Sequence, residues 1–129
     1  MKIGTNIRNW GPTANPACIA ACARHADRSS LDSIWINDHI GLPPTMVDNP
    51  YGISPDMAHI LDPLGVACFL AAHTTRIQFG TAVLILPYRP PLPTLKWLST
   101  IQALSHGRFL LGTGVGYLNR RPQIRSTTA

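Results

Sequence analysis

Asp38 and His39 place a carboxylate beside an imidazole, directly after an apolar segment rich in isoleucine and tryptophan. An imidazole titrates near neutral pH, so His39 is a candidate general acid or base, and Asp38 is a candidate partner that orients it. The chain contains no glutamate, which leaves acid–base chemistry to Asp, His, Cys or Tyr. A loop histidine beside a turn-capping aspartate is the alternative interpretation, and sequence position does not separate the two.

Three glycines alternate with other residues at Gly112, Gly114 and Gly116. A dinucleotide-binding turn has G-x-G-x-x-G after its first strand and an acidic residue about 20 residues later. Here the glycines lie at and just beyond the end of the last predicted strand, and no acidic residue comes after them. This placement disfavours a nucleotide-binding module and favours glycines that let backbone and ligand approach closely at strand ends.

Cysteine and histidine spacing predicts no metal site. Cys18 and Cys22 lie one helical turn apart and Cys22 precedes His25 by three residues, but no two histidines are spaced as HxxxH and no further Cys or His lies nearby to complete a ligand set. We interpret these two cysteines as small residues on a packed helix face. With Cys68 the count is odd, and there is no secretory signal, so free thiols are expected.

The charge is +5 overall, yet residues 1–117 carry only eight Lys or Arg against six Asp. The remainder comes from Arg120, Arg121 and Arg125, so 118–129 is interpreted as a basic, disordered tail. No basic stripe interleaved with aromatic residues is present, which disfavours nucleic-acid binding. No apolar run reaches about 18 residues, so no membrane span is expected, and the cytoplasm is the expected location.

Four strand-like segments alternate with three helical ones. The predicted strands are 2–7, 33–38, 77–86 and 108–114, and the predicted helices are 17–26, 62–75 and 94–104. Asn15 and Asp62 are predicted N-caps, each followed by a proline, and Gly107 is the predicted end of the third helix. The segment 40–56 is predicted to be a long loop, and 87–93 an extended connector.

This alternating order predicts an α/β fold with a parallel sheet. Two architectures accommodate it: an open doubly wound sheet, or the N-terminal half of a (β/α)8 TIM barrel with about four strands and three helices. Both place chemistry at the carboxyl ends of the strands. Polar residues and glycines collect at those ends in the segments 6–8, 37–39, 82–84 and 112–114.

The segments LDSIWINDH, TTRIQFGTAV, ILPYRPP and LSHGRFLLGTGVGY together resemble the luciferase-like monooxygenase superfamily. The resemblance spans roughly residues 30–117, so residues 1–117 are interpreted as one partial barrel domain of that kind. It implies an oxidoreductase acting on paired donors, with incorporation or reduction of molecular oxygen. The implied cofactor is coenzyme F420, with FMN as the alternative, and the implied partner is a small organic substrate.

The same resemblance implies roles for individual residues. Asp38 and His39 would lie beside the redox-active ring as catalytic residues. Ala82 and Val83 would form a bulge behind the ring, where many relatives have a non-prolyl cis peptide. Two further residues would line the pocket floor and bind the cofactor, namely Thr113 and Gly114.

Members of this superfamily are usually at least twice as long, and a full barrel takes about 250 residues. We therefore expect a chain truncated after its fourth strand. The inner face of four apolar strands would then be exposed, which favours a homodimer formed through the barrel edges. The alternative function is an inactive half-barrel remnant that self-associates and has no catalysis.

Overall fold

A computed structural model describes residues 1–39 and 59–116. The strands are β1 (Gly4–Asn6), β2 (Ser33–Ile36), β3 (Gln78–Thr81), β4 (Leu84–Ile85), β5 (Phe109–Leu110) and β6 (Thr113–Gly114). The helices are α1 (Pro16–Arg28), α2 (Pro63–His73) and α3 (Pro91–Leu104), and a 3-10 turn spans Leu86–Tyr88. The predicted loop 40–56 and the predicted tail 118–129 lie outside the described residues.

The first two helices begin as predicted. The Asn15 side chain accepts a hydrogen bond from the Cys18 N–H at 3.0 Å. The Asp62 carboxylate accepts one from the Leu64 N–H at 2.8 Å. Each cap satisfies an N–H that has no partner inside the helix, and the proline that follows lacks the N–H that would otherwise be left unpaired.

The main sheet is parallel and its strands lie in the order β1-β2-β3-β5. Sequence neighbours are therefore spatial neighbours, whereas the order of a doubly wound sheet reverses at a switch point. Buried residues of all three helices pack in one cluster with Ile34, Phe79 and Phe109, which occupy one row of the register. Helices on a single face and sequential strands are the arrangement of one half of a (β/α)8 barrel.

The other face of the sheet, here called the open face, is more polar than predicted. Paired residues of parallel strands point to the same side. Two rows therefore lie on the open face: Gly4, Ser33 and Gln78, and Asn6, Trp35, Gly80 and Leu110. Ile34, Ile36 and Phe79 face the helices, whereas the open face combines Trp35 and Leu110 with polar side chains and glycines, so the expectation of a wholly apolar inner face was wrong. The Trp35 indole lies over Gly4, whose missing side chain leaves room for it.

The third and fourth predicted strands are each divided in two. The Ala82-Val83 peptide is cis and separates β3 from β4. On the neighbouring strand, β5 and β6 are separated at residues 111–112, and β4 pairs with β6. The division lies at the position that the family resemblance indicated, and apolar continuity in the sequence carried no sign of it.

Two further predictions were wrong. The segment 87–93 is not an extended connector, because α3 begins at Pro91 and a 3-10 turn precedes it. Prolines fit a first helical turn, whose N–H groups have no partners in the helix. Cys18 and Cys22 are exposed and do not lie on a packed face of α1, which buries Ile19, Ala20, Ala23 and Ala26 instead.

Hydrogen bonds to side chains hold the amino ends of the strands. The Asp27 carboxylate, at the end of α1, accepts four hydrogen bonds from residues 75–77, the shortest being 2.7 Å from the Ile77 N–H. The Arg108 guanidinium donates to Ser105, Thr74, Ile77 and Ala71. These contacts set the entry into β3 and β5. Stabilising contacts therefore occupy the amino ends, and the candidate site lies at the carboxyl ends.

Candidate functional site

An asparagine network joins the carboxyl ends of β1 and β2. The fully buried Asn9 side chain donates to the Asn37 carbonyl at 2.9 Å and to the Leu61 carbonyl at 2.8 Å. It also accepts from the Asn37 N–H at 3.2 Å. The Asn6 side chain donates to the Asn37 side chain at 2.7 Å. The backbone immediately before Asp38 is therefore held by both neighbouring segments.

Asp38 is buried and joined to the segment that follows the cis peptide. One carboxylate oxygen accepts from the Ile85 N–H at 2.9 Å and from Arg89 Nε at 3.3 Å. The other accepts from Arg89 Nη2 at 2.9 Å. Arg89 Nη2 also contacts the Asp62 carboxylate at 2.9 Å, so it links the end of β2 to the N-cap of α2.

Arg89 remains charged in this arrangement. Burial lowers the pKa of its guanidinium, but the hydrogen bonds and negative charges of Asp38 and Asp62 outweigh burial and leave it raised. The Asp38 carboxylate is thus occupied by an ion pair and a backbone N–H. These contacts suit a residue that positions its neighbours. A direct catalytic role of Asp38 stays a prediction.

His39 follows Asp38 and is partly buried. Burial lowers the pKa of the imidazole below its ordinary value of 6.5, and the adjacent Asp38 carboxylate partly opposes this by raising it. The neutral imidazole therefore predominates at neutral pH. A neutral imidazole accepts a proton at one nitrogen and donates one at the other, so the ring is suited to proton transfer in either direction.

Ala82, Val83, Thr113 and Gly114 lie together on the two divided strands. The Ala82 N–H donates to the Ile36 carbonyl at 2.8 Å, which ties the cis peptide to the end of β2. A Cβ at Gly114 would lie 2.5 Å from Val83 Cγ2. The glycine therefore accommodates the Val83 side chain, while Thr113 pairs with Leu84 beside it. The structure brings these four predicted residues into one patch.

Apolar side chains are accessible around this patch. Three apolar side chains beside the strand ends are accessible to solvent: Val83 is 42% exposed, Leu86 41% and Val115 79%. Apolar side chains left accessible beside polar, hydrogen-bonded groups are typical of ligand sites. Ala82 and Val83 lie at the centre of this accessible apolar surface.

Arg89 and Asn9 were missed by sequence reasoning. Arg89 lies in a proline-rich segment that the sequence presents as a connector, and its two carboxylate partners are 51 and 27 residues away. Asn9 lies outside any strand. A buried polar residue has no local sequence signature, because its hydrogen-bond partners come from distant segments.

Other chemical groups form no second centre in the described parts of the chain. Within residues 1–39 and 59–116, no three His, Cys or Asp side chains converge closely enough to hold a metal ion. No helix in those two ranges combines the length and apolarity needed to cross a membrane. The three cysteines are free thiols, as predicted.

Comparison with protein families gives one match over nearly the whole chain. The family model described as Luciferase-like monooxygenase matches residues 1–121. The F420-dependent glucose-6-phosphate dehydrogenase of Kineococcus radiotolerans is 35% identical over 103 residues, which cover 78% of this chain and 27% of that protein. The alkanal monooxygenase alpha chain of Photorhabdus luminescens is 25% identical over 132 residues, which cover 98% of this chain and 33% of that protein. The chain thus spans about a third of these relatives' length.

Solved structures share the fold. The oxygenating constituent of 3,6-diketocamphane monooxygenase from Pseudomonas putida, in complex with FMN, superposes with a TM-score of 0.70 at 20% identity, covering 92% of this chain and 30% of that chain. The coenzyme F420 dependent tetrahydromethanopterin reductase of Methanopyrus kandleri gives 0.66 at 24% identity, covering 90% and 27%. At these identities the likeness concerns the fold alone.

Proposed function

The chain belongs to the luciferase-like monooxygenase family, and we propose that its strand-end patch binds a reduced flavin or deazaflavin in an oxidoreductase acting on a small organic substrate. Coenzyme F420 is the proposed cofactor and FMN the alternative. When bound, the ring would supply the redox chemistry by taking or giving a hydride. The chain's own residues would support the ring, exclude water beside it, and hold or move a proton at His39.

One observation carries this proposal: two hydrogen bonds join the end of β2, immediately before His39, to the segment that carries the apolar patch. The residue before His39 accepts the Ile85 N–H at 2.9 Å, and the Ala82 N–H binds the Ile36 carbonyl at 2.8 Å. A proton-transfer group and an exposed apolar support therefore lie at adjoining strand ends. The active sites of (β/α)8 barrel enzymes lie at this carboxyl-terminal edge.

His39 would exchange a proton with the substrate through a ring nitrogen. Its lowered pKa favours the neutral form, which accepts a proton at pH 7 without first losing one. Val83 and Ala82 would contact one face of the ring, and Thr113 would offer a hydroxyl at the edge of the same patch. Relatives whose names include F420 and a structure that contains FMN support both cofactor choices.

Cofactor binding to the 129-residue chain tests the proposal directly. F420 and FMN are titrated separately with the chain, and the change in cofactor fluorescence gives each Kd. Val83→Asp places a carboxylate in the patch and should weaken binding at least about tenfold, since a buried unpaired charge is costly. Leu104→Asp is the matched control, because Leu104 is exposed on the far end of α3. If neither cofactor binds, or both variants bind like the parent, the patch is not the cofactor site.

A second function, self-association without catalysis, is favoured by the sheet edges. Within the described residues β1 pairs only with β2, and β5 only with β3. A cavity of about 770 Å³ runs beside β1 and α1 and is lined in part by Ile7, Cys22 and Leu31. A closed barrel of this class has eight strands, twice the four present in this sheet. Two copies that pair at both edges would complete such a barrel.

Size-exclusion chromatography with light scattering separates the two functions. Catalysis without self-association predicts a monomer that binds cofactor. Self-association alone predicts a discrete dimer that leaves the fluorescence of F420 and FMN unchanged. A dimer that binds cofactor would mean that two copies together build the site.

A further inference from the structure

We propose that Arg89 is a positioning residue of the strand-end site, which acts through Asp38 on His39 and holds the segment carrying Val83 in place. This inference rests on the proposed function, because it concerns the same His39 and the same apolar patch. Arg89 itself is not proposed to contact the reacting atoms.

Arg89 makes three hydrogen bonds between the end of β2 and the start of α2. Its guanidinium donates twice to Asp38 and once to Asp62. The Arg89 side chain is 11% exposed and that of Asp38 is 2% exposed, so this ion pair is largely shielded from water. The Asp62 side chain is 53% exposed. The shielded contact with Asp38 is therefore the stronger of the two.

Asp38 connects Arg89 both to His39 and to the segment that carries Val83. Along the chain, it is covalently joined to His39. Across the sheet, it accepts the Ile85 N–H, two residues after Val83. A shift of the carboxylate would therefore move both the imidazole and the apolar patch. Arg89 limits that shift by fixing both carboxylate oxygens with a planar fork of donors.

Arg89 also limits how strongly Asp38 acts on His39. The Asp38 charge favours the imidazolium, and burial disfavours it. A guanidinium bound to both carboxylate oxygens offsets that negative charge at short range. Other charged or titratable residues lie in the described segments that follow β1, precede α2 or follow β4: Arg8, His59, Asp62 and Tyr88. Arg8 lies over the Trp10 ring at 5.4 Å, and Asp62 is itself bound by Arg89.

The experiment measures the pKa of the His39 imidazole by NMR titration of the cofactor-free chain, with His39→Gln used to assign its signal. Arg89→Met should raise the pKa of His39 by about half a unit to one unit, because the Asp38 charge loses its partner. Arg89→Lys keeps the charge and should shift the pKa by less than half as much. Lysine lacks the fork, however, so the backbone signals of Ile85 and Val83 should move in both variants.

Asp38→Asn distinguishes this coupling from local unfolding. In the Asp38→Asn background, Arg89→Met should lose most of its effect on the pKa of His39, because the charge that Arg89 offsets is gone. Local unfolding would instead return the imidazole to its ordinary pKa in either background. An unchanged pKa in Arg89→Met, or an equal rise in both backgrounds, would overturn the proposal.

This titration stands apart from the cofactor test. A chain that shows the coupling but binds neither F420 nor FMN would reject the proposed function and leave the positioning role intact. A chain that binds cofactor, but in which Arg89→Met leaves the pKa of His39 unchanged, would support the proposed function and reject the positioning role.

Discussion

The Val83 side chain rests on the backbone of Gly114, at a position where a Cβ on residue 114 would come within 2.5 Å of Val83 Cγ2. The same crowding occurs one pleat earlier, where a Cβ at Gly112 would collide with the Thr81 carbonyl oxygen. Gly112 and Gly114 are therefore explained by the divided strand beside them, and Gly116 by its positive φ of 79°. A phosphate-binding turn is not needed to account for their spacing.

Gly114→Ala should destabilise the protein by about 1 to 3 kcal/mol, because the new methyl group forces Val83 out of its place. Gly65→Ala is the matched control: a Cβ at Gly65 has no neighbour within 4 Å, and the residue lies inside α2. That control should stabilise the helix by about 0.5 to 1 kcal/mol. Urea denaturation gives both free energies of unfolding. Equal effects of the two substitutions would contradict the packing described for Val83.

Asp27→Asn should weaken the protein at neutral pH and remove an acid-sensitive part of its stability. Burial would raise the pKa of Asp27, but hydrogen bonds from the N–H groups of residues 75–77 and from the Thr75 hydroxyl outweigh it and lower that pKa to about 2. The stabilisation is thus fully present above about pH 4 and is lost as the pH falls toward 2. After discounting for solvent exposure we expect about 1 to 2 kcal/mol.

Unfolding free energies measured from pH 6 to pH 2 provide the check on Asp27. The parent protein should lose stability below pH 4 more steeply than Asp27→Asn. Parallel curves for the two proteins would mean that the carboxylate contributes no charge-dependent stability.

His39→Gln should flatten the pH dependence of stability between about pH 7 and pH 5. Burial lowers the folded-state pKa of His39 below 6.5, so the unfolded chain binds a proton more readily than the folded one. The parent protein therefore loses stability as the pH falls through this range, and the variant avoids that part of the loss. His25→Gln is the control, because His25 is exposed on α1. An identical slope in the parent and in His39→Gln would contradict the burial of this imidazole.

Arg108→Lys should cost about 2 to 3 kcal/mol, since one ammonium cannot replace five hydrogen bonds that a planar guanidinium makes to surrounding carbonyl and hydroxyl groups. The guanidinium also lies over the Phe79 ring at 5.3 Å. Arg24→Lys, at an exposed position on α1, should change stability by less than about 0.5 kcal/mol. Thermal unfolding of both variants measures the contrast, and equal melting temperatures would argue against a structural role for Arg108.

Local signals predicted most of the secondary structure and part of the site. Asn15 and Asp62 cap their helices as predicted, because a cap requires only a side-chain oxygen two or three residues before an N–H. The family resemblance located the cis peptide at Ala82-Val83, although the apolar run around it reads as one continuous strand. The start of α3 was misplaced because four prolines in 87–93 suggested extended backbone.

The sequence by itself determined the alternation of strands and helices, the family, and the grouping of polar residues at strand ends. These properties depend on patterns among residues close in sequence, which can be recognised without knowing the contacts between distant segments. Only the tertiary structure decided between one-sided and two-sided helix packing, brought polar side chains onto the open face of the sheet beside Trp35 and Leu110, and placed Arg89 between Asp38 and Asp62. The reason is physical: an ion pair between residues 51 positions apart exists only after the strands and helices have packed.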